Sequence, residues 1–203
     1  MLLLIISKLY RKERIDVFQC KYIIQVKMKL YITRHGETKR NKEQRVLGRT
    51  DDPLSEKGLA QAAELAEKMK DIDIDMIFVS PLTRARQTAQ AVADVKGLTP
   101  IVDERLIETN FGDFEGVDRW CEEYQNAKRD HFKRYPNGES YFDMAYRIYN
   151  FLFEIRDKYP DKKVLVVSHG GVCRIICNYF YDMENEEFVS HAFPNCGLES
   201  FEL

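Results

Sequence analysis

Two histidines, two arginines and one glutamate are the residues of this chain whose types and spacing point to chemistry: Arg34-His35, Arg84, Glu108 and His169. A guanidinium is a planar fork of donors that matches a phosphate or a carboxylate. Gly36 and the pair Gly170-Gly171 let backbone N–H groups come close to an anion, near helix N-termini that already favour negative charge. The sequence has no acidic cluster of the kind that holds Mg²⁺ and no GxxxxGK[ST] loop to cradle a nucleotide. An anion site built on histidine, with no metal, suggests phosphoryl transfer by nucleophilic catalysis. Each residue also has an ordinary reading taken singly: a strand-end histidine, a solvated helix arginine, a surface carboxylate. What separates the two readings is whether the chain brings them together.

The elements needed to do so are legible in the apolar spacing. A short strand over Lys29–Thr33 runs straight into Arg34-His35. Ser55 can cap a helix to about residue 70, with Leu59, Ala62, Ala63, Leu65, Ala66 and Met69 on helical spacing. Met76-Ile-Phe-Val79 fits a buried parallel strand. Ser80-Pro81 reads as an N-cap followed by proline at the first helical position, with the helix running to about Val95. Ile101-Val102 begins another short strand, residues 140–158 form a long helix, and Lys163–Ser168 is the clearest strand. A helix follows from about Gly171 to Tyr181, and the alternating Leu198–Leu203 suits an edge strand. Strands alternating with helices predict an α/β three-layer sandwich: a mostly parallel central sheet with helices on both faces. Ligands of such sheets bind beyond the carboxyl ends of the strands. Arg34-His35, Ser80 with Arg84, Glu108 and His169 each follow a strand, so all are expected on one rim.

Composition bounds the partners. The 203 residues suit one domain with a small insertion, and 44% apolar with 32% charged residues indicate a globular protein. A formal charge of −2 provides no global attraction to nucleic acid or anionic membranes. Cys20, Cys121, Cys173, Cys177 and Cys196 are odd in number and scattered, which suits reduced thiols in a cytoplasmic protein. Cys173 and Cys177 stand four apart on an expected helix, where small buried residues are the simpler reading than a metal pair. The opening MLLLII is too short for a signal peptide or a membrane span. Residues 1–27 carry Lys8, Arg11, Lys12, Arg14, Lys21 and Lys27 against only Glu13 and Asp16. They read as a basic extension before a domain over 28–203, in which Met28 is an alternative start. Oligomeric state is not legible.

The motifs resemble those of the histidine phosphatase superfamily, also called phosphoglycerate-mutase-like. The resemblance rests on Arg34-His35-Gly36-Glu37-Thr38, Asn41, Gly48, Asp51, Pro53-Leu54-Ser55, Gly58 and Gln61; on Ser80 through Ala89; on Leu106 through Gly116; on Gly138-Glu139-Ser140; and on Ser168-His169-Gly170-Gly171. It covers roughly residues 28–203. It implies that His35 is the nucleophile, forming a phosphohistidine, and that Arg34, Arg84 and His169 surround the phosphoryl oxygens with Asn41 and Gly170 assisting. It implies that Glu108 protonates the leaving alkoxide and then activates water, with no cofactor and no metal. Glu104 and Glu115 stay open as alternatives for the acid; Arg86, Thr38, His131 and His191 read as structural. The short span from Glu108 to His169 and the Phe-Gly-x-x-Glu-Gly pattern at 111–116 resemble the phosphatase branch rather than the mutases. The expected substrate is a small phosphate ester. The insert at about 110–138 holds Trp120, Tyr124, Phe132 and Tyr135, either a partial lid over the rim or plain packing residues.

Overall fold

The computed structural model describes residues 28–203; the basic extension over 1–27 lies outside the described residues. Among the described residues, five strands form one sheet: β1 (Lys29–Arg34), β2 (Met76–Val79), β3 (Ile101–Val102), β4 (Lys163–Ser168) and β5 (Leu198–Glu202), in the order β3-β2-β4-β1-β5. All neighbouring pairs are parallel except β1 with β5. The helices are α1 (Lys39–Lys42), α2 (Glu56–Met69), α3 (Thr83–Lys96), α4 (Glu122–Arg129), α5 (Tyr141–Lys158), α6 (Gly170–Tyr181) and α7 (Asn185–Ser190).

β4 is central because it is apolar on both faces. Its side chains alternate with period two. Val164 and Val166 join Leu30, Ile32 and Phe78 under α5 and α6, where Ile148, Phe151, Leu152, Val172 and Ile176 are buried. Leu165 and Val167 join Ile77 and Val79 under α2 and α3, against Leu65, Met69, Ala85, Ala89 and Val92. These two cores, one on each face of the sheet, are the three layers that the sequence predicts. Met28 is fully buried and is held to Leu203 by backbone hydrogen bonds in both directions, 3.2 and 2.9 Å. None of the described helices is long and apolar enough to cross a membrane.

One expected boundary is corrected. The helix after β2 starts at Thr83, not at Pro81, and Ser80 is not its cap. Leu82 is the N-cap residue, with extended backbone and no side-chain cap of its own. Asp51, from a distant loop, accepts from both the N–H and the hydroxyl of Thr83 at 2.7 Å. Ser80 is thereby released for another use, described below.

The insert packs on itself. Tyr124 and Tyr135 are buried with Val46 against Phe111, Phe114 and Val117. Trp120 and Phe132 point outward, 69% and 78% exposed. The aromatics thus divide: Tyr124 and Tyr135 are buried packing residues, Phe132 stacks on Phe142 at the surface, and Trp120 is exposed.

Candidate active site

β1 ends at Arg34, and the chain leaves the sheet with the His35 N–H donating to the Ser168 carbonyl at the end of β4, 2.9 Å. His35 is buried, 3% exposed. Its Nδ1 lies 2.6 Å from the Gly36 carbonyl, so Nδ1 carries the proton and Nε2 presents a lone pair. Arg84 Nε–H donates to that Nε2 at 3.2 Å. Burial first, then the positive charges of Arg34 and Arg84, hold the His35 pKa well below the usual imidazole range. The ring is neutral, the form in which it can attack.

Arg84 is fully buried on the first turn of α3. Its other donors go to the Gly48 carbonyl at 2.6 Å and the Thr50 carbonyl at 2.8 Å. That loop is itself held by Glu115, whose carboxylate accepts from Gly48 N, Arg49 N and the Thr50 hydroxyl. A side chain at Gly48 would put a Cβ 2.1 Å from Glu115 Oε1 and 2.3 Å from the Thr109 carbonyl, so only glycine fits this close approach. Thr88 ties Arg84 to the His35 turn: its hydroxyl donates to the Arg84 carbonyl at 2.8 Å and accepts from Gly36 N at 3.1 Å.

His169 follows β4 and is fully buried, its ring edge-on to His35 with centroids 5.1 Å apart. Its Nε2 meets the Ser80 hydroxyl at 2.6 Å. Burial, with Arg84, His35 and Arg34 nearby, keeps it neutral too. Arg34 reaches the Phe193 carbonyl through Nη1 at 2.9 Å. Two polar atoms here are buried with no partner among the described residues: Arg34 Nε and His169 Nδ1. Buried donors are rarely left unpaired. In the tautomer in which the Ser80 hydroxyl donates to Nε2, His169 Nδ1 is a free N–H, and an oxyanion would satisfy both.

Glu108 is 6% exposed, beyond β3. Its carboxylate accepts from Thr109 N at 2.8 Å, from the Thr109 hydroxyl at 3.1 Å and from Gly171 N at 3.1 Å, on the first turn of α6. Arg147 braces the loop through the Arg105 and Glu108 carbonyls while its Nε pairs with Glu139. Of the three carboxylates left open by sequence, Glu104 is exposed on a short turn and Glu115 is committed to the Gly48–Thr50 loop. Glu108 alone lies against the turn that carries His169.

Gly170 lies against Arg34, its Cβ position 3.6 Å from Arg34 Nε. Asn41 is used locally: its Oδ1 accepts from Thr38 N while the Thr38 hydroxyl accepts from Asn41 N, a capping box on α1. Sequence reasoning missed Asn195, which donates to the His35 carbonyl at 2.8 Å, and the supporting parts played by Ser80 and Glu115. Ser80 and Glu115 stand inside recognised motifs; nothing in the sequence marks Asn195.

Further cations lie near Arg34 and near one another. Arg174, four residues past Gly170 on α6, donates to the His191 carbonyl at 3.0 Å and lies over Phe188. Arg119 and Arg174 both press the Arg34 pKa down, though less than burial does. Lys128 is pushed down to about 8 by burial, then by Arg174, Arg119 and Arg129. Among the described residues, no carboxylate forms a salt bridge with Arg119, Lys128 or Arg174. The one described group with metal-ligand spacing includes none of the residues around His35.

Known proteins share this architecture. The chain is 37% identical over 150 residues, 70% of each chain, to the probable phosphoglycerate mutase GpmB of Escherichia coli. Its structure superposes on a mycobacterial glucosyl-3-phosphoglycerate phosphatase with a TM-score of 0.75 at 29% identity, covering 85% of this chain and 89% of that one. A phosphoserine phosphatase from Entamoeba histolytica, solved as a mutant with phosphoserine, gives 0.76 at 28% identity, covering 86% and 90%. The description of histidine phosphatase superfamily, branch 1, matches residues 30–203, every site residue included, and the chain belongs to that superfamily.

Proposed function

We propose that this enzyme hydrolyses phosphate monoesters without a metal, through a phosphohistidine on His35. The observation that carries the reading is the neutral His35, its Nε2 held by the Arg84 guanidinium, beside two buried nitrogens with no partner among the described residues, Arg34 Nε and His169 Nδ1. Nε2 attacks phosphorus and the P–O bond to the leaving group breaks. Arg34, Arg84 and His169 stabilise the charge spread over the equatorial oxygens. Glu108 gives its proton to the departing alkoxide, then takes one from the water that attacks the phosphoenzyme, releasing phosphate and restoring His35.

Arg119, Lys128 and Arg174, which form no salt bridge among the described residues, favour a small substrate whose leaving group carries a second anionic group. Phosphoserine and glucosyl-3-phosphoglycerate, named for two relatives, both bear a carboxylate. The mutase name of the Escherichia coli relatives supports a second reading, in which a substrate hydroxyl takes the phosphoryl group instead of water. The test is a panel of phosphorylated metabolites with EDTA present, following both phosphate release and isomer interconversion. Phosphate release, fastest for esters with a carboxylate, is expected; interconversion without release would replace hydrolase by mutase. Rapid quench with labelled substrate should trap an acid-labile, base-stable phosphoenzyme. His35→Ala should abolish trapping and turnover; residual turnover within about tenfold of wild type, about 1.4 kcal/mol of transition-state stabilisation, would remove His35 as nucleophile.

A further inference from the structure

Cys177 on α6, His191 at the C-terminal end of α7 and Glu199 on β5 come from three separate elements, yet their ligand atoms all lie within 4.8 Å of one another. We propose that these three side chains form a site for a soft divalent cation, zinc fitting it best, that staples the 191–199 segment to α6 beside the active site. Thiolate, imidazole and carboxylate together are a zinc donor set; they are a poor one for Mg²⁺ or Ca²⁺, which take oxygen ligands. Three protein ligands leave a fourth tetrahedral position for water.

The surroundings agree. His191 Nε2 is buried and has no hydrogen-bond partner among the described residues, an orphan that an ion would satisfy. Cys177 Sγ lies 3.6 Å from Glu199 Oε2. Without an ion, the thiol points its proton at that carboxylate. A bound cation replaces that proton, which leaves to solvent. Cys177 is buried, whereas His191 and Glu199 are partly exposed, leaving a way in. In the sequence Cys177 and Cys173 read as small buried residues; the fold sets His191 and Glu199 beside Cys177.

The placement gives the site a consequence. His191 and Glu199 bracket the segment that braces the catalytic residues. Within it, the Phe193 carbonyl accepts from Arg34, Asn195 donates to the His35 carbonyl, and Cys196 N donates to the Arg34 carbonyl. An ion tying both ends of this segment to α6 restrains the backbone that positions Arg34 and His35. It takes no part in phosphoryl transfer, and the proposal does not depend on which ester is cleaved.

The probe is Co²⁺, then Zn²⁺, added to the full chain freed of metal and kept reduced. One equivalent of Co²⁺ should bind and give a thiolate-to-cobalt charge-transfer band with tetrahedral visible bands, all displaced by Zn²⁺. Zn²⁺ should raise Tm and slow amide exchange across residues 192–198. Cys177→Ser, His191→Ala and Glu199→Gln should each weaken Co²⁺ binding at least tenfold, while Cys121→Ser leaves the band intact. His191 and Glu199 are partly exposed, so those two variants keep the test sound if Cys177→Ser does not fold. No charge-transfer band in wild type, or a band surviving His191→Ala and Glu199→Gln unchanged, overturns the site. Binding without slowed exchange in 192–198 overturns the staple.

Discussion

Residue identity decides most at Glu108. Its carboxylate is gripped by Thr109 and Gly171, which orient it toward the turn that carries His169. Glu108→Gln keeps the size and can still accept through its amide oxygen, but it cannot shuttle a proton. A leaving group such as p-nitrophenolate departs without help, whereas an alkyl alkoxide does not. Glu108→Gln is therefore expected to lower kcat for alkyl phosphates by about two orders of magnitude or more, and for p-nitrophenyl phosphate by much less. Equal losses on both would take the acid role from Glu108, and a crippling Glu115→Gln would show only that the Gly48–Thr50 loop is needed. Residues of this kind were legible in the sequence because each follows a strand. Their partners were not: Asn195 serves His35 from the other end of the chain, and Ser80 had a plausible local role as a helix cap.

Elements position these residues through close approaches that only some glycines require. The first turn of α6 makes the contrast sharp. At Gly171 a Cβ would sit 2.5 Å from Glu108 Oε1 and 2.7 Å from the Thr109 hydroxyl, so either the carboxylate or the helix must move. At Gly170 the nearest atom is 3.6 Å away, an ordinary contact. Gly171→Ala is expected to destabilise by about 1–3 kcal/mol, the usual cost of overpacking, and to lower kcat by displacing Glu108. Gly170→Ala should melt within a few degrees of wild type. Thermal melting and alkyl-phosphate turnover of the pair check this; the reverse order would mean that α6 does not dock as described. The sequence placed α6 well but could not rank its two glycines, because the distinguishing neighbours lie more than sixty residues away in the chain. Likewise α3 was found and its cap was not: Pro81 hides a start at Thr83 that Asp51 caps from another loop.

At the scale of the whole molecule, the buried histidines couple stability to pH. His35 and His169 both have folded pKa values held below the unfolded value near 6.5. Above that value neither state binds the extra proton. As pH falls below it, the unfolded chain takes up protons that the folded site refuses, so stability drops by up to about 1.4 kcal/mol per pH unit for each histidine. Urea midpoints should therefore fall between pH 7 and pH 5 by more than in His169→Gln, which removes one of the two groups. The same molecule also bears on where the domain begins. Met28 is fully buried, and its N–H and carbonyl already pair with Leu203, which closes the start of β1 against the end of β5. Among the described residues both cores are well filled, and every residue placed at the site lies within 28–203. A chain begun at Met28 is accordingly expected to fold and to keep its kcat/KM. Thermal melting and turnover against the full chain decide it: a fall in Tm beyond about 4 °C, near the effect of 1 kcal/mol in a domain of this size, would show that residues 1–27 contribute to the stability of the fold.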